Sequence, residues 1–391
     1  VKKPRVFAAA LIAGVAVGAV QLVPAADSAA EGVERIFESV RGHSFHPLDE
    51  SSFTIDRDLK QHGVANLEDE DWKVRLLAVR DLIRAGAPAA AEIARGLGDS
   101  NLHVRYASAA ALGVLRAEAA IPALEEALRS DTESLVRSQT AIALGQIESA
   151  GSIAMLREKK ANDPSKDVRH QCELSIDQIQ KKMGATEELR AAFVALDPAK
   201  FESVRVGAPA PDFALPDTEG NPWRLAESKG KEWTVLIWVF ADWCPVCHGE
   251  FRELIEMREE FERAGVRVAT IETHDRYRAR VMVGREIDPE YWFAKESFHD
   301  AYTRKIWWPH LLDRAGGVGA VYGVDPMEFS VHSEFINRPS TIIIDPDGIV
   351  RFAYYGTFWG DRPSVRQTLG FIEAKSFTFE HAKRRRAPVS H

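Results

Sequence analysis

The dipeptide Val74-Arg75 returns as Val104-Arg105, Val136-Arg137 and Val168-Arg169, at intervals of 30, 32 and 32 residues. A fixed period of that length marks a stacked array of supersecondary units, each burying its apolar face on the next. Other positions keep the same phase. Four residues after each Val stand Ala78, Ser108, Thr140 and Cys172, all small; eight after stand Leu82, Leu112, Leu144 and Ile176, all large and aliphatic. Acidic residues precede each dipeptide: Asp71, Asp99, Asp131, and Asp163 or Asp167. Small side chains at one offset and large ones at another let helices approach closely and still fill the space between them. Residues 67–185 are therefore expected to form an all-α solenoid of helix pairs. Cys172 then fills the small slot of the fourth unit as a buried hydrophobe rather than a reactive thiol.

With these positions in phase, the array resembles HEAT repeats of the short, roughly thirty-residue type. The resemblance implies a surface that engages a protein partner. Before it, residues 1–25 read as a signal peptide or N-terminal anchor: Lys2-Lys-Pro-Arg5 is basic, Val6 to Val23 is apolar, and Val23-Pro-Ala25 offers small residues for cleavage. That segment predicts an exported protein, periplasmic or otherwise extracytoplasmic, held at the membrane if the segment stays. Residues 26–66 read as a linker with a short helix, and 186–206 as a helical linker. The formal charge of -8 argues against nucleic acid as a partner. The run Lys383-Arg-Arg-Arg386 belongs to a solvated basic tail, 376–391.

From Gly207 the composition changes. Gly207-Ala-Pro-Ala-Pro-Asp-Phe-Ala-Leu-Pro216 reads as extended entry into a new domain. Trp233 to Phe240 is a continuous apolar run suited to a buried strand. A helical face follows over Glu250 to Ala264, stopped by Gly265, and Val266 to Ile271 is a second strand. This order predicts parallel neighbours joined by a right-handed crossover. Thr341-Ile-Ile-Ile344 and Ile349 to Tyr355 flank the turn Asp345-Pro-Asp-Gly348, and Val365 to Ala374 closes the domain as a helix. The aromatic-rich connection from His274 to Asn337, with Tyr291, Trp292, Phe293, Trp307, Trp308 and Phe329, is expected to form helices covering the sheet; a lid or docking surface is the other reading.

Between the first strand and its helix lies Ala241-Asp-Trp-Cys-Pro-Val-Cys-His248. It holds a C-x-x-C redox spacing and, with His248, the C-x-x-C-H spacing of covalent haem attachment. A strand end leading into a helix start favours the dithiol, because free N–H groups and the helix dipole stabilise a thiolate there. Haem would also need an axial ligand and a mostly helical envelope. Zinc would need further ligands from His274, His299, His310 and His332, which read as surface or packing residues. Neither metal nor cofactor is expected. His248 is then a neighbour rather than a catalytic group, since adjacent helix positions point apart.

Residues 207–375 resemble the thioredoxin fold, and within it the redoxin (AhpC/TSA) branch of thiol-disulfide oxidoreductases and peroxiredoxins. The resemblance rests on Gly207 to Leu215, Trp243 to Cys247, Tyr322-Gly-Val324, and Arg338-Pro339 through Gly348. It implies a multidomain chain: an all-α HEAT-like solenoid followed by an α/β thioredoxin-like domain. It implies Cys244 as the exposed nucleophile on a protein disulfide, Cys247 as the resolving thiol, and Pro339 as a cis proline against the pair. Trp243 and Glu250 support them. In the alternative, peroxidase register, Cys247 attacks peroxide and Arg338 stabilises its thiolate. Phe240 and Cys244 stand there where peroxiredoxins carry proline and threonine, which favours disulfide exchange. A buried acid of thioredoxins is replaced by Trp238. Asp242 and Glu250 are the nearer acids, read as solvated charges. A non-catalytic binding scaffold is the remaining reading.

Overall fold

The structure, a computed structural model, describes residues 28–42, 71–181, 186–288, 305–327, 329–356 and 360–379. The expected signal segment, Tyr291-Trp-Phe293, His299 and the Lys383-Arg386 run lie outside them.

The solenoid is built from helices α1 (Ala29–Arg41), α2 (Asp71–Ala85), α3 (Ala90–Arg95), α4 (Leu102–Val114), α5 (Ile121–Ser130), α6 (Ser134–Ile147), α7 (Ile153–Asn162) and α8 (Lys166–Lys181), followed by α9 (Thr186–Val194). Its arginines explain the period. Arg105 and Arg137 each donate to a carbonyl of their own loop, Asp99 at 2.9 Å and Asp131 at 2.8 Å. Each also grips the next unit's carboxylate, 26 residues on: Arg105 to Asp131 at 2.7 Å, Arg137 to Asp163 at 2.9 Å. Arg41 does the same to Asp99 at 2.7 Å. Helix α1, read from sequence as part of a linker, buries Val33, Phe37 and Val40 in the solenoid core. Cys172 is buried in its small slot, and burial pushes its thiol up to about 12. Because Asp163 has a fully buried side chain, Arg137→Met leaves a carboxylate without its cation. The expected cost is about 3–5 kcal/mol, read as a lower midpoint in chemical unfolding.

The second domain carries strands β1 (Ala214–Pro216), β2 (Pro222–Arg224), β3 (Trp233–Trp238), β4 (Val266–Glu272), β5 (His310–Leu312), β6 (Phe329–Val331), β7 (Glu334–Ile336), β8 (Ser340–Ile344) and β9 (Val350–Tyr355). Its helices are α10 (Pro245–Glu256), α11 (Arg258–Arg263), α12 (Arg276–Met282), α13 (Gly317–Tyr322) and α14 (Val365–Ala374). The central sheet runs β5-β4-β3-β8-β9, with β3, β4 and β5 parallel and β8 and β9 antiparallel to their neighbours. The expected β3–β4 crossover and β8–β9 hairpin are both present. The connection expected to be helical also supplies an edge strand, β5, and the small β6–β7 hairpin.

The two domains pack directly on each other. Trp72 stacks on Phe201 at 5.9 Å, and Lys73 pairs with Glu202 at 2.6 Å. Arg75, the first repeat arginine, donates to the Met327 carbonyl at 2.7 Å. In the first unit, then, the repeat arginine grips the second domain. The β6–β7 hairpin meets the solenoid as well: Ser333 bonds Ser134 at 2.7 Å, and Phe335 sits edge-on to Tyr106 at 4.8 Å.

Candidate functional site

Strand β3 ends inside the domain, and the next residues carry the chain onto α10. Cys244 is the N-cap of that helix and Pro245 its first residue, where a missing N–H costs nothing. Both thiols are fully buried, so Cys244 is not the exposed residue expected from sequence. The Phe240 N–H donates to the Cys247 sulfur at 3.3 Å. Arg362, in the turn before α14, brings one guanidinium nitrogen to 3.4 Å from Cys247 and 3.9 Å from Cys244. Its other terminal nitrogen donates to Glu250 at 2.8 Å.

One buried cation thus faces two acidic groups. Burial pushes both thiols up. At Cys247 the hydrogen bond from the Cys244 thiol, the Arg362 charge and backbone N–H donation overcome it and hold the thiol well below its ordinary value. At Cys244, burial and the bond it donates to Cys247 hold the thiol well above it. Burial, opposed by Arg362 and aided by the Cys247 charge, pushes Glu250 up to about 8. Arg362 itself loses to burial but gains more from Cys247 and Glu250, so it stays charged. The reduced site then holds one thiolate, one guanidinium and one neutral carboxyl. A disulfide removes the thiolate and leaves Arg362 to Glu250, so oxidation at pH 7 is expected to ionise Glu250. The check is the infrared carbonyl band of a protonated carboxyl: present in the reduced protein, lost on oxidation, and absent throughout in Glu250→Gln.

The remaining residues singled out from sequence sort clearly. Trp243 lies beside the pair, donating its indole N–H to Glu334 at 2.8 Å and packing edge-on against His332 at 4.4 Å. Pro339 directly precedes β8, whose Ser340 pairs with Trp238. Its peptide bond is trans, against the expected cis form, as are all peptide bonds among the described residues. Arg338 bonds Asp325 at 2.7 Å, and the guanidinium on the thiols is that of Arg362. Glu250 and Asp242 are buried, not solvated. His248 is buried with Nε2 2.6 Å from the Asp242 carbonyl oxygen, and burial takes it down to about 4, a neutral structural imidazole.

Asp242 opens a buried charged chain. It takes two bonds from Arg278, at 2.7 and 2.8 Å, and Arg278 also holds Glu334 at 2.5 Å. Glu334 approaches His274 at 3.5 Å, His274 meets Glu272 at 3.1 Å, and Glu272 meets His310 at 2.9 Å. Burial and Arg278 work against a charged His274, but Asp242, Glu334 and Glu272 outweigh them and raise it to about 10. Asp242, His274 and Glu334 converge closely enough to hold a cation. The Arg278 guanidinium already bridges the two carboxylates, so the charges here are met within the protein. The sequence reading missed Arg362 and Arg278. Asp361-Arg362-Pro363-Ser364 shows only a helix start, and Arg362 lies 115 residues from Cys247.

Residues 206–353 match the model of the AhpC/TSA family, and residues 64–145 that of HEAT repeats. Over 161 residues the chain is 32% identical to the thiol:disulfide interchange protein DsbE of Allochromatium vinosum, spanning 41% of this chain and 72% of that protein. It is 28% identical over 171 residues to the thiol-disulfide oxidoreductase ResA of Geobacillus thermodenitrificans, spanning 44% of this chain and 80% of that protein. Among solved structures, the reduced 2-Cys peroxiredoxin of Plasmodium vivax aligns at 18% identity with a TM-score of 0.35, over 44% of this chain and 82% of its own.

Proposed function

Because the chain belongs to the AhpC/TSA family through its second domain, we propose that Cys244 and Cys247 exchange disulfides with a protein partner. The chain is an oxidoreductase of the thiol-disulfide class, an all-α HEAT-repeat solenoid joined to an α/β thioredoxin-like domain. The observation that carries the reading is the convergence of Arg362 and the Phe240 N–H on one sulfur of a dithiol at a helix start.

The exchange runs in two steps. Cys244 passes its proton along the bond to Cys247 and attacks one sulfur of the partner disulfide; the partner sulfur that is displaced takes this proton from Cys247 and leaves as a thiol. Cys247, deprotonated against Arg362, then attacks the Cys244 sulfur of the mixed disulfide. The second partner thiol leaves and an intramolecular disulfide remains, so two electrons have passed to the partner. Run backwards, the same steps oxidise a partner dithiol. Glu250, neutral beside Arg362, is the group placed to exchange the proton. Pro339, directly ahead of β8, and Trp243, directly ahead of Cys244, are the supporting residues we assign to this exchange. Since both thiols are buried, the reaction needs the cover to open. The β6–β7 hairpin over Trp243 is the element we assign to that, with the solenoid presenting the protein partner. The apolar segment Val6 to Val23 supports export; among the described residues no helix is long and apolar enough to cross a membrane.

Trapping tests the order of attack. Cys247→Ser, offered a peptide disulfide, is expected to accumulate a mixed disulfide on Cys244 visible by intact mass. An adduct that forms instead only in Cys244→Ser reverses the roles. The observation that the thiolate-favouring contacts fall on Cys247 supports a second reading, peroxide reduction. There Cys247 attacks the peroxide, becomes a sulfenic acid with release of water or an alcohol, and condenses with Cys244 to a disulfide and water. In that reading Arg362 takes the part expected of Arg338.

A further inference from the structure

Where the solenoid meets the second domain they enclose a partly open cavity of about 210 Å³. Four alternate solenoid helices, α2, α4, α6 and α8, turn one face toward it. Helix α6 supplies Gln139, Ile142 and Gln146, and α8 supplies Gln171, Leu174 and Gln178, each at the spacing of a single helix face. Gln139 and Gln171 stand one repeat apart, as do Gln146 and Gln178, so the amides form two rows across the floor. No protein hydrogen bond reaches the side chains of Gln139, Gln171 or Gln178 among the described residues, and the Gln146 side-chain oxygen is buried without a partner. Gln139 and Gln146 are buried and Gln171 and Gln178 half-buried. Buried amides are almost always paired, so the orphaned Gln146 oxygen, with the other three amides lining the same cavity, calls for a ligand that pairs it.

The opposite wall supplies charge. Arg276, Arg278 and Arg314 line it, with Asp275 and Glu334. Arg278 is taken by Asp242 and Glu334, and Arg276 faces Glu188 at 3.6 Å. Arg314 makes no ion pair or hydrogen bond among the described residues; Asp275, Glu188 and Glu272 act on it only from a distance, and burial works against its charge. A guanidinium with no direct ion pair suits a single negative charge, and its planar fork suits a carboxylate. Leu76, Phe193 and Met327 add apolar wall. The volume lies below the usual range for drug-sized ligands, about 300–1,000 Å³, and far below that of a folded partner.

We propose that this cavity binds a small monocarboxylate that carries an amide on an apolar stem. The carboxylate pairs with Arg314, the amide lies across the glutamine rows, and the stem meets the apolar wall. That chemistry occurs in a free N-acyl amino acid and in the last residue of a polypeptide. The cysteines do not line the site, although Arg278 and Glu334, which do, also hold Asp242 and Trp243 beside them; the proposal does not rest on the redox reading.

Calorimetry on the full chain with N-acetyl-leucine, N-acetyl-leucinamide and a hexapeptide ending in a free leucine carboxylate tests it. The acid is expected to bind at least about tenfold more tightly than the amide, the worth of one charge-assisted contact. Arg314→Gln should abolish that difference, Arg314→Lys should restore part of it, and Gln139→Leu combined with Gln171→Leu should weaken acid and amide alike. Unchanged disulfide turnover in these variants shows that the fold is kept. Binding of the acid without the hexapeptide assigns the site to small molecules; binding of both assigns it to polypeptide termini. Equal affinity for acid and amide, no heat from any probe, or an unaltered preference in Arg314→Gln overturns the proposal.

Discussion

Cys244→Ser and Cys247→Ser each lower turnover of a protein disulfide by about 10³-fold or more, and the double variant falls no further. Two groups that act in one covalent cycle are not additive, because losing either stops the same cycle. The two single variants differ in how they stop. Without Cys247 the partner stays attached to Cys244; without Cys244 the Arg362-held thiolate remains, buried, with no partner sulfur to resolve. Turnover in a coupled assay with an external reductant shows the loss, and free-thiol counting shows which cysteine remains. The effect is large because nothing else among the described residues can replace a sulfur: Cys172 is buried in the solenoid core with a raised thiol.

The second large effect belongs to a residue outside the motif. Arg362→Met keeps an apolar stem of similar length and removes the guanidinium that contacts both thiols. A charge-assisted bond contributes about 1.5–3 kcal/mol, so Cys247 rises by about one to two pKa units. The sign follows from which form is stabilised: the guanidinium favours the thiolate, so without it ionisation needs a higher pH. Absorbance of the thiolate in the near-ultraviolet, followed against pH in the reduced protein, reads this directly. Glu250→Gln keeps the guanidinium free for Cys247 and should leave the thiolate ionised at pH 7. A rise in both variants would point to simple loss of packing. A rise in Arg362→Met alone identifies the charge.

The parts of the molecule legible in sequence are those set by short-range rules. The repeat could be phased because Arg105 and Arg137 each carry a double duty, their own loop carbonyl and the next unit's carboxylate, which ties the sequence spacing to the stacking distance. The dithiol could be placed because strand, turn and helix are contiguous from Trp233 to Glu256. The closing helix Val365–Ala374 was legible as one contiguous segment, and the structure adds its Ser364 cap with Gln367 three residues on. What escaped was long-range or a matter of burial. Arg362 and Arg278 reach the motif only because the sheet and its connections bring them there. Asp242 and Glu250 read as ordinary surface acids, since a sequence displays the acid and not the buried guanidinium each one meets. Edge strand β5 spans only His310–Leu312, too short for a periodic signal. The packing of the solenoid on the second domain was invisible for the same reason: Arg75 follows the repeat pattern but bonds Met327, 252 residues away.

The central claim is that the reduced pair acts on disulfides and that both sulfurs are needed. Its most direct measurement offers purified Cys244→Ser hydrogen peroxide and a protein disulfide in parallel, with Cys247→Ser as control. Disulfide exchange predicts that Cys244→Ser turns over neither substrate, while the wild-type protein reduces the disulfide. Peroxide turnover that survives in Cys244→Ser and vanishes in Cys247→Ser would contradict it.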